Sequence, residues 1–218
     1  ILIDSQLGDH KIPGIILRKP ENTKYAVLAH GMGGTKESMF PQMRILLEEG
    51  YNCLTLDMRQ SGENEAEYNT GGILEAYDVI DGINYVKEIT DLPVLVFGES
   101  FGGAAVLQAF TKEPNLFGYI ILDCPVADGR HYLYQIADEM NAPRDLFIAA
   151  GDRVYKKKLG FSLNDMDSIS KLKNNIHKNV HVPVLVLNAR LDAVTPYSMG
   201  EGIYNACLLY TSPSPRDS

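Results

Sequence analysis

Several absences in the sequence each remove a class of protein. Its 218 residues contain no apolar stretch approaching the roughly 18 that a membrane-spanning helix needs. Basic residues are few, 20 Lys and Arg against 28 Asp and Glu, for a net charge of −8. Nucleic acids and anionic membranes are bound by Lys and Arg that displace counterions, so neither is an expected partner. The longest basic run, Lys156-Lys157-Lys158, reads as a solvated helix face. The three cysteines, Cys53, Cys124 and Cys207, stand far apart with no Cys-x-x-Cys pair, which argues against a zinc site and against a disulfide scaffold. No internal repeat is present. What remains, 45% hydrophobic and 22% charged residues, is an ordinary globular mix, long enough for one α/β domain with a real core or for two small ones.

Short apolar runs at 25–30, 53–57, 94–98, 119–123 and 182–188 alternate with helical patterns, the mark of a parallel sheet with crossover helices. Their near-continuous Val, Leu and Ile suggest strands buried on both faces. Ahead of them, 1–3 and 12–18 bracket a polar turn at Gly8-Asp9-His10 and fit an antiparallel edge hairpin. Helical stripes follow at Phe40/Met43/Leu47, closed by Gly50, and at Ile73/Tyr77/Ile80/Ile83. A third helix runs from Ser100 to Lys112, with Pro114 just after it. The connection from Asp123 to Val182 is too long for one crossover. Its stripes, Leu133/Ile136/Met140 and Ile169/Leu172/Ile176 among them, predict two or three helices that form a cap over the sheet at 124–181.

Chemistry concentrates in two glycine-rich turns. Gly98-Glu99-Ser100-Phe101-Gly102 follows an apolar strand and opens a helix. So sharp a turn strains the serine backbone and lifts its Oγ above the sheet, and close packing demands glycine at Gly98 and Gly102. His30-Gly31-Met32-Gly33-Gly34 follows an earlier strand, and its glycines let backbone amides turn toward the same edge. One oxyanion donor from that loop and one from the residue after the nucleophile make Met32 and Phe101 the candidate amides. A dinucleotide loop needs glycine where Lys36 stands, and a P-loop needs Gly-Lys-Ser/Thr, so neither phosphate motif fits. His30, at the end of a strand, reads as structural.

These turns, together with Asn188-Ala189-Arg190-Leu191-Asp192-Ala193-Val194-Thr195-Pro196 after a further strand, resemble the α/β-hydrolase superfamily. Within it the chain resembles bacterial serine esterases and peptidase-like hydrolases of the cinnamoyl-esterase and serine-aminopeptidase type. Asp57-Met58-Arg59-Gln60-Ser61-Gly62-Glu63 matches a turn of such proteins, except that Asn64 stands where they carry serine. The resemblance covers about residues 10–206. It implies an α/β-hydrolase fold split as 1–123 and 182–206 around the cap, with Ser100 as nucleophile and Gly31 in the oxyanion loop. The acid falls at Asp192, a turn position at the C-terminal edge of a strand, with Asp123 as the alternative. The implied substrate is a small acyl compound, a carboxylic ester ahead of a peptide, and the chemistry needs no metal or organic cofactor. A non-catalytic binding module of the same fold is the remaining alternative.

One residue departs from the pattern. Chain order in this fold is Ser, acid, His, and no histidine follows Asp192. His10, His131, His177 and His181 all precede it and read as surface residues. The last twelve residues, 207–218, break from the helical pattern into a Ser/Pro tail that resembles a translated sequencing adapter. The expectation is a chain cut before the family's last strand, its histidine loop and last helix, and inactive by itself. Because the chain starts at Ile1 rather than methionine, the compartment stays open, with the cytoplasm as the default. Nothing in the sequence speaks to oligomeric state.

Overall fold

The computed structural model describes residues 1–175 and 181–208. Seven strands form one sheet: β1 (Leu2–Asp4), β2 (Lys11–Leu17), β3 (Lys24–Ala29), β4 (Tyr51–Leu56), β5 (Val94–Glu99), β6 (Tyr119–Asp123) and β7 (Val184–Leu187). Their order is β1-β2-β4-β3-β5-β6-β7. β1 and β2 form the expected hairpin, β2 runs antiparallel to β4, and every other pairing is parallel. This is the α/β-hydrolase fold, a mostly parallel sheet flanked by helices.

The helices are α1 (Phe40–Glu48), α2 (Glu75–Lys87), α3 (Phe101–Lys112), α4 (Arg130–Glu139), α5 (Arg144–Leu159), α6 (Ser168–Asn175) and α7 (Tyr197–Leu208). On one face of the sheet α1 packs Met43, with Met39 from the turn before it, against Ala26, Leu28, Cys53 and Phe97. Phe40, assigned to that stripe from its spacing, is exposed, and Met39 takes the core position instead. The opposite face carries the larger core, where Ile83 of α2, Leu107 of α3, Leu172 of α6 and Ile203 of α7 meet Val27, Leu54 and Val96. β3, β4 and β5 are buried on both faces, as their composition predicts. β7 is not: Val184 and Val186 pack on the large core, while Leu185 and Leu187 are exposed on the α1 side of the sheet.

Between β6 and β7 come α4, α5, a short 3-10 turn at Leu163–Met166, and α6. Ile73, Leu163 and Met166 form a separate apolar cluster there, joined by Leu133, Ile148, Tyr155 and Phe161. α6 instead sends Leu172 into the main core. Met140, placed on the α4 stripe by its spacing, is exposed, and Ile176 lies outside the described residues. α7 runs to Leu208, two residues past the 206 boundary, because Cys207 continues the face of Ile203 and Ala206 that packs on the core. Burial pushes the Cys207 thiol up to about 11. Residues 209–218 of the tail lie outside the described residues.

Candidate active site

Sheet order brings the candidate residues together. β3 and β5 are neighbours and end level, with Ala29 opposite Gly98, so the loops that leave them emerge side by side at the C-terminal edge. β6 and β7 end beside them, Asp123 opposite both Glu99 and Leu187. This edge, where neighbouring connections leave in opposite directions, is where open α/β sheets form their crevices.

Ser100 sits between β5 and α3 at φ 49° and ψ −112°. Left-handed backbone is costly for a residue with a side chain, and here the packing imposes it. A Cβ at Gly98 would press on Gly102 and Gly103, and one at Gly102 would overlap the carbonyls of Ala29 and His30. The two glycines therefore let α3 start hard against the strands, as the sequence pattern implies. The Ser100 amide donates to the Asp123 carbonyl at 2.8 Å, which ties the turn to β6.

Two peptide units are fixed in direction. The Gly31 carbonyl accepts from the Gly34 amide at 3.0 Å and from His30 Nδ1 at 2.8 Å. In a trans peptide C=O and N–H point opposite ways, so the Met32 amide is turned away from those partners. The Ser100 carbonyl likewise accepts from the amides of Gly103 and Val126, both at 3.0 Å, which directs the Phe101 amide the other way. Among the described residues neither the Met32 nor the Phe101 amide has an acceptor. Gly31 lies against Ser100: a Cβ there would stand 3.5 Å from Ser100 Cβ. Two unspent donors thus flank a strained serine.

His30 is buried, and burial lowers its pKa. Nδ1 donates to Gly31, and Nε2 accepts from the Met58 amide at 3.3 Å, which defines a neutral ring protonated on Nδ1. Its structural assignment from the sequence agrees with those contacts.

Asp192 is held by its own turn. Oδ1 accepts from the amides of Val194 and Thr195, both at 2.8 Å, and Oδ2 from the Thr195 hydroxyl at 2.9 Å. The Thr195 amide and hydroxyl hold the carboxyl below the usual range, with smaller contributions from the Val194 amide and the Cys124 thiol. Cys124 itself sits at φ 44°, directly after β6, with its thiol pushed up by burial. Asp192 makes no hydrogen bond to Ser100; it is connected to it through Cys124 and the Asp123 carbonyl. The Asp123 side chain instead lies beside Glu99, whose pKa is raised by burial and then by that neighbour.

Met32, Ser100 and Phe101 line one cavity of about 450 Å³, a size typical of small-molecule sites. The segment after β6 closes it with Val126, His131, Tyr132, Leu133 and Tyr155. Three other aromatics in that segment are absent from the lining: Tyr134 lies under the Arg144 guanidinium, Phe161 packs edge-on against Tyr155, and Phe147 does not reach it. Gln60, Asn69 and Gly71 from the loop after β4, and Val194 and Met199 from the Asp192 loop and α7, were not singled out by the sequence. In that loop Gln60, Gly62, Gly71 and Gly72 all stand at positive φ. Among the described residues no Asp, Glu, Lys or Arg lines it.

His131 shares the cavity with Ser100, but its Nε2 faces Gln135 Nε2 at 3.5 Å, and Gln135 in turn donates to the Ala193 carbonyl. Among the described residues no histidine hydrogen-bonds Ser100 Oγ; His177 lies outside them. No group of three or more His, Cys, Asp or Glu among the described residues could hold a metal ion, and no helix there is long and apolar enough to cross a membrane.

Comparison with known proteins agrees with this architecture. Residues 27–166 match the family model for the alpha/beta hydrolase fold. A putative chloroplastic methylesterase 12 of Arabidopsis thaliana is 29% identical over 147 residues, 65% of this chain and 40% of that protein. The lysophosphatidylserine lipase ABHD12 of Mus musculus is 25% identical over 187 residues, 81% of this chain and 43% of that protein. The chain spans about half the length of the curated relatives it matches. The Pyrococcus furiosus esterase Pf2001 superposes with a TM-score of 0.72 at 18% identity, over 96% of this chain and 78% of that one. Est1E of Butyrivibrio proteoclasticus, solved with ferulic acid bound, gives 0.66 at 17% identity, over 94% and 85%. The strained serine on its strand-to-helix turn and the match over most of the sheet lead to one conclusion: the chain belongs to the α/β hydrolase fold family.

Proposed function

We propose that the protein is a serine hydrolase that cleaves an uncharged carboxylic ester. The observation that carries this is Ser100, held at positive φ at the end of β5 with two unpaired amides beside it, on the wall of a cavity of ligand size. In this reading Ser100 Oγ attacks the ester carbonyl while a histidine takes its proton. The Met32 and Phe101 amides receive the developing oxyanion, and the N-terminus of α3 adds its positive end. The alcohol leaves with the proton from the histidine, and water then hydrolyses the acyl-enzyme by the same route in reverse. Asp192, oriented by Thr195, holds the imidazole in the tautomer the reaction needs.

Chain order puts the base after Asp192, where no histidine stands in these 218 residues. We therefore assign the base to the complete protein beyond this stretch. α4, α5 and the 3-10 turn after them act as the cap, since they supply Tyr132, Leu133, Tyr155 and Met166 to the cavity wall.

Among the described residues the cavity lining carries no Asp, Glu, Lys or Arg, which favours a neutral ester over a substrate that presents an ammonium or a phosphate group. Labelling of the complete protein with a fluorophosphonate tests this reading. One adduct on Ser100, blocked by a neutral p-nitrophenyl ester, is expected; an unlabelled Ser100 in a folded protein contradicts it.

A further inference from the structure

The turn that follows β4, Asp57 to Asn64, lies outside the cavity wall except at Gln60, yet it carries a buried carboxylate with no part in the chemistry above. Asp57 is completely buried. Its Oδ1 accepts from the Lys36 amide at 2.7 Å, and its Oδ2 from the Lys36 ammonium at 2.6 Å and the Glu63 amide at 2.9 Å. Lys36 is the residue where the 30–34 loop has passed into its following turn, so Asp57 grips the exit of that loop. The ammonium is held strongly protonated by Asp57 and Glu63 despite its burial.

The next residue grips the entry. The Met58 amide donates to His30 Nε2, and His30 Nδ1 donates to the Gly31 carbonyl, the one whose direction sets the Met32 amide. Two adjacent residues of one turn therefore anchor both ends of the loop. The turn is itself built around the carboxylate: Gly62 is at φ 54°, and a Cβ there would overlap the Asp57 side chain. Asn64 Nδ2 donates to the Asp57 carbonyl at 2.9 Å, which gives the residue at the departure from the familial serine a definite task.

The geometry points to Asp57 as a positioning residue for the oxyanion amide of Met32, acting through Lys36 at one end of the loop and through Met58 and His30 at the other. Its kinetic consequence rests on the ester-hydrolase reading; its structural consequence does not. A buried carboxylate that accepts three N–H donors cannot be replaced by an amide without turning an NH₂ group toward a donor. Asp57→Asn is thus a small change in volume that opposes the clamp directly.

Two readouts test this. In the complete protein, Asp57→Asn should lower kcat for a neutral p-nitrophenyl ester by about tenfold to a hundredfold, with KM within about threefold, because the donor acts on the transition state more than on the bound ester. In the chain itself, ¹⁵N relaxation should show the Met32 amide as rigid as the strands in the parent, with an order parameter near 0.85, and falling below about 0.6 in Asp57→Asn. Should Asp57→Asn fail to melt cooperatively, Lys36→Met removes the ammonium alone and is read the same way. A folded variant with unchanged Met32 order and kcat within about twofold overturns the assignment. Loss of Met32 order in a protein whose parent turns over no ester supports the clamp and overturns the ester reading instead.

Discussion

Thr195 gives both its amide and its hydroxyl to the Asp192 carboxylate, at 2.8 and 2.9 Å. The carboxylate proposed as the acid is therefore oriented by the residue three positions on. Thr195→Val keeps the amide bond and removes the hydroxyl. Hydrogen bonds to charged groups contribute about 1.5–3 kcal/mol, so kcat of the complete protein should fall roughly tenfold with little change in melting temperature. Unchanged kcat would show that the hydroxyl does not orient the acid.

The two candidate acids separate by mutation. Asp192→Asn should cost on the order of 10⁴ in kcat, since the imidazole then loses the partner that fixes its tautomer. Asp123→Asn should cost less than about threefold, because the group that holds Ser100 is the backbone carbonyl of Asp123, which the substitution leaves in place. The reverse order moves the acid to the end of β6.

His131 shares the cavity with Ser100, and its replacement tests whether it serves as base. His131→Ala should leave kcat of the complete protein within about threefold, with any larger change appearing in KM as a lost wall contact. A loss of kcat on the order of 10³ or more would make His131 the base and remove the need for a histidine beyond Asp192.

Much of this site was legible because its signals are local. Gly98, Ser100 and Gly102 announce the turn since sterics leave few alternatives there, and β3, β5 and β6 stand out as apolar runs between turns. α5 was less legible: none of its sixteen residues is fully buried, and Ile148 and Tyr155, which pack around Leu163, are a thin stripe to read. The exposure of Leu185 and Leu187 depends on which strands α1 covers, a tertiary fact with no trace in the strand's own composition. The Asp57–Lys36 pair joins residues 21 positions apart, a separation at which no local spacing marks a contact.

A network around His10 offers a pH test that is separate from the proposed chemistry. His10 donates from Nε2 to Asp78 at 2.9 Å and from Nδ1 to Asp9 at 2.6 Å, while Arg59 donates to Asp9 at 2.8 Å and its amide to Asp78. The Asp78 carboxylate, with Asp9, raises the His10 pKa above the usual 6.5 against the opposing effects of burial and Arg59. A raised folded-state pKa gives stability that is complete below the unfolded value and is lost as pH rises through the folded one. The melting temperature gap between the parent and His10→Gln should therefore be larger near about pH 6 than near about pH 9. A gap that widens with pH contradicts a protonated His10 bridging the β1–β2 turn to α2.

Close approach of α3 to β3 predicts a stability cost without any change in chemistry. A Cβ at Gly102 would overlap the Ala29 and His30 carbonyls, so Gly102→Ala should destabilise by about 1–3 kcal/mol or more in urea unfolding. Stability within about 0.5 kcal/mol of the parent would mean that the helix can move away from the strand at no cost.

The central claim is that Ser100 is the nucleophile, and the most direct measurement is steady-state turnover of a neutral p-nitrophenyl ester by the complete protein and by Ser100→Ala. Ser100→Ala should fold with an unchanged far-ultraviolet spectrum and lose several orders of magnitude in kcat. Turnover that survives the substitution within about tenfold would contradict the assignment of Ser100 and, with it, the proposed function.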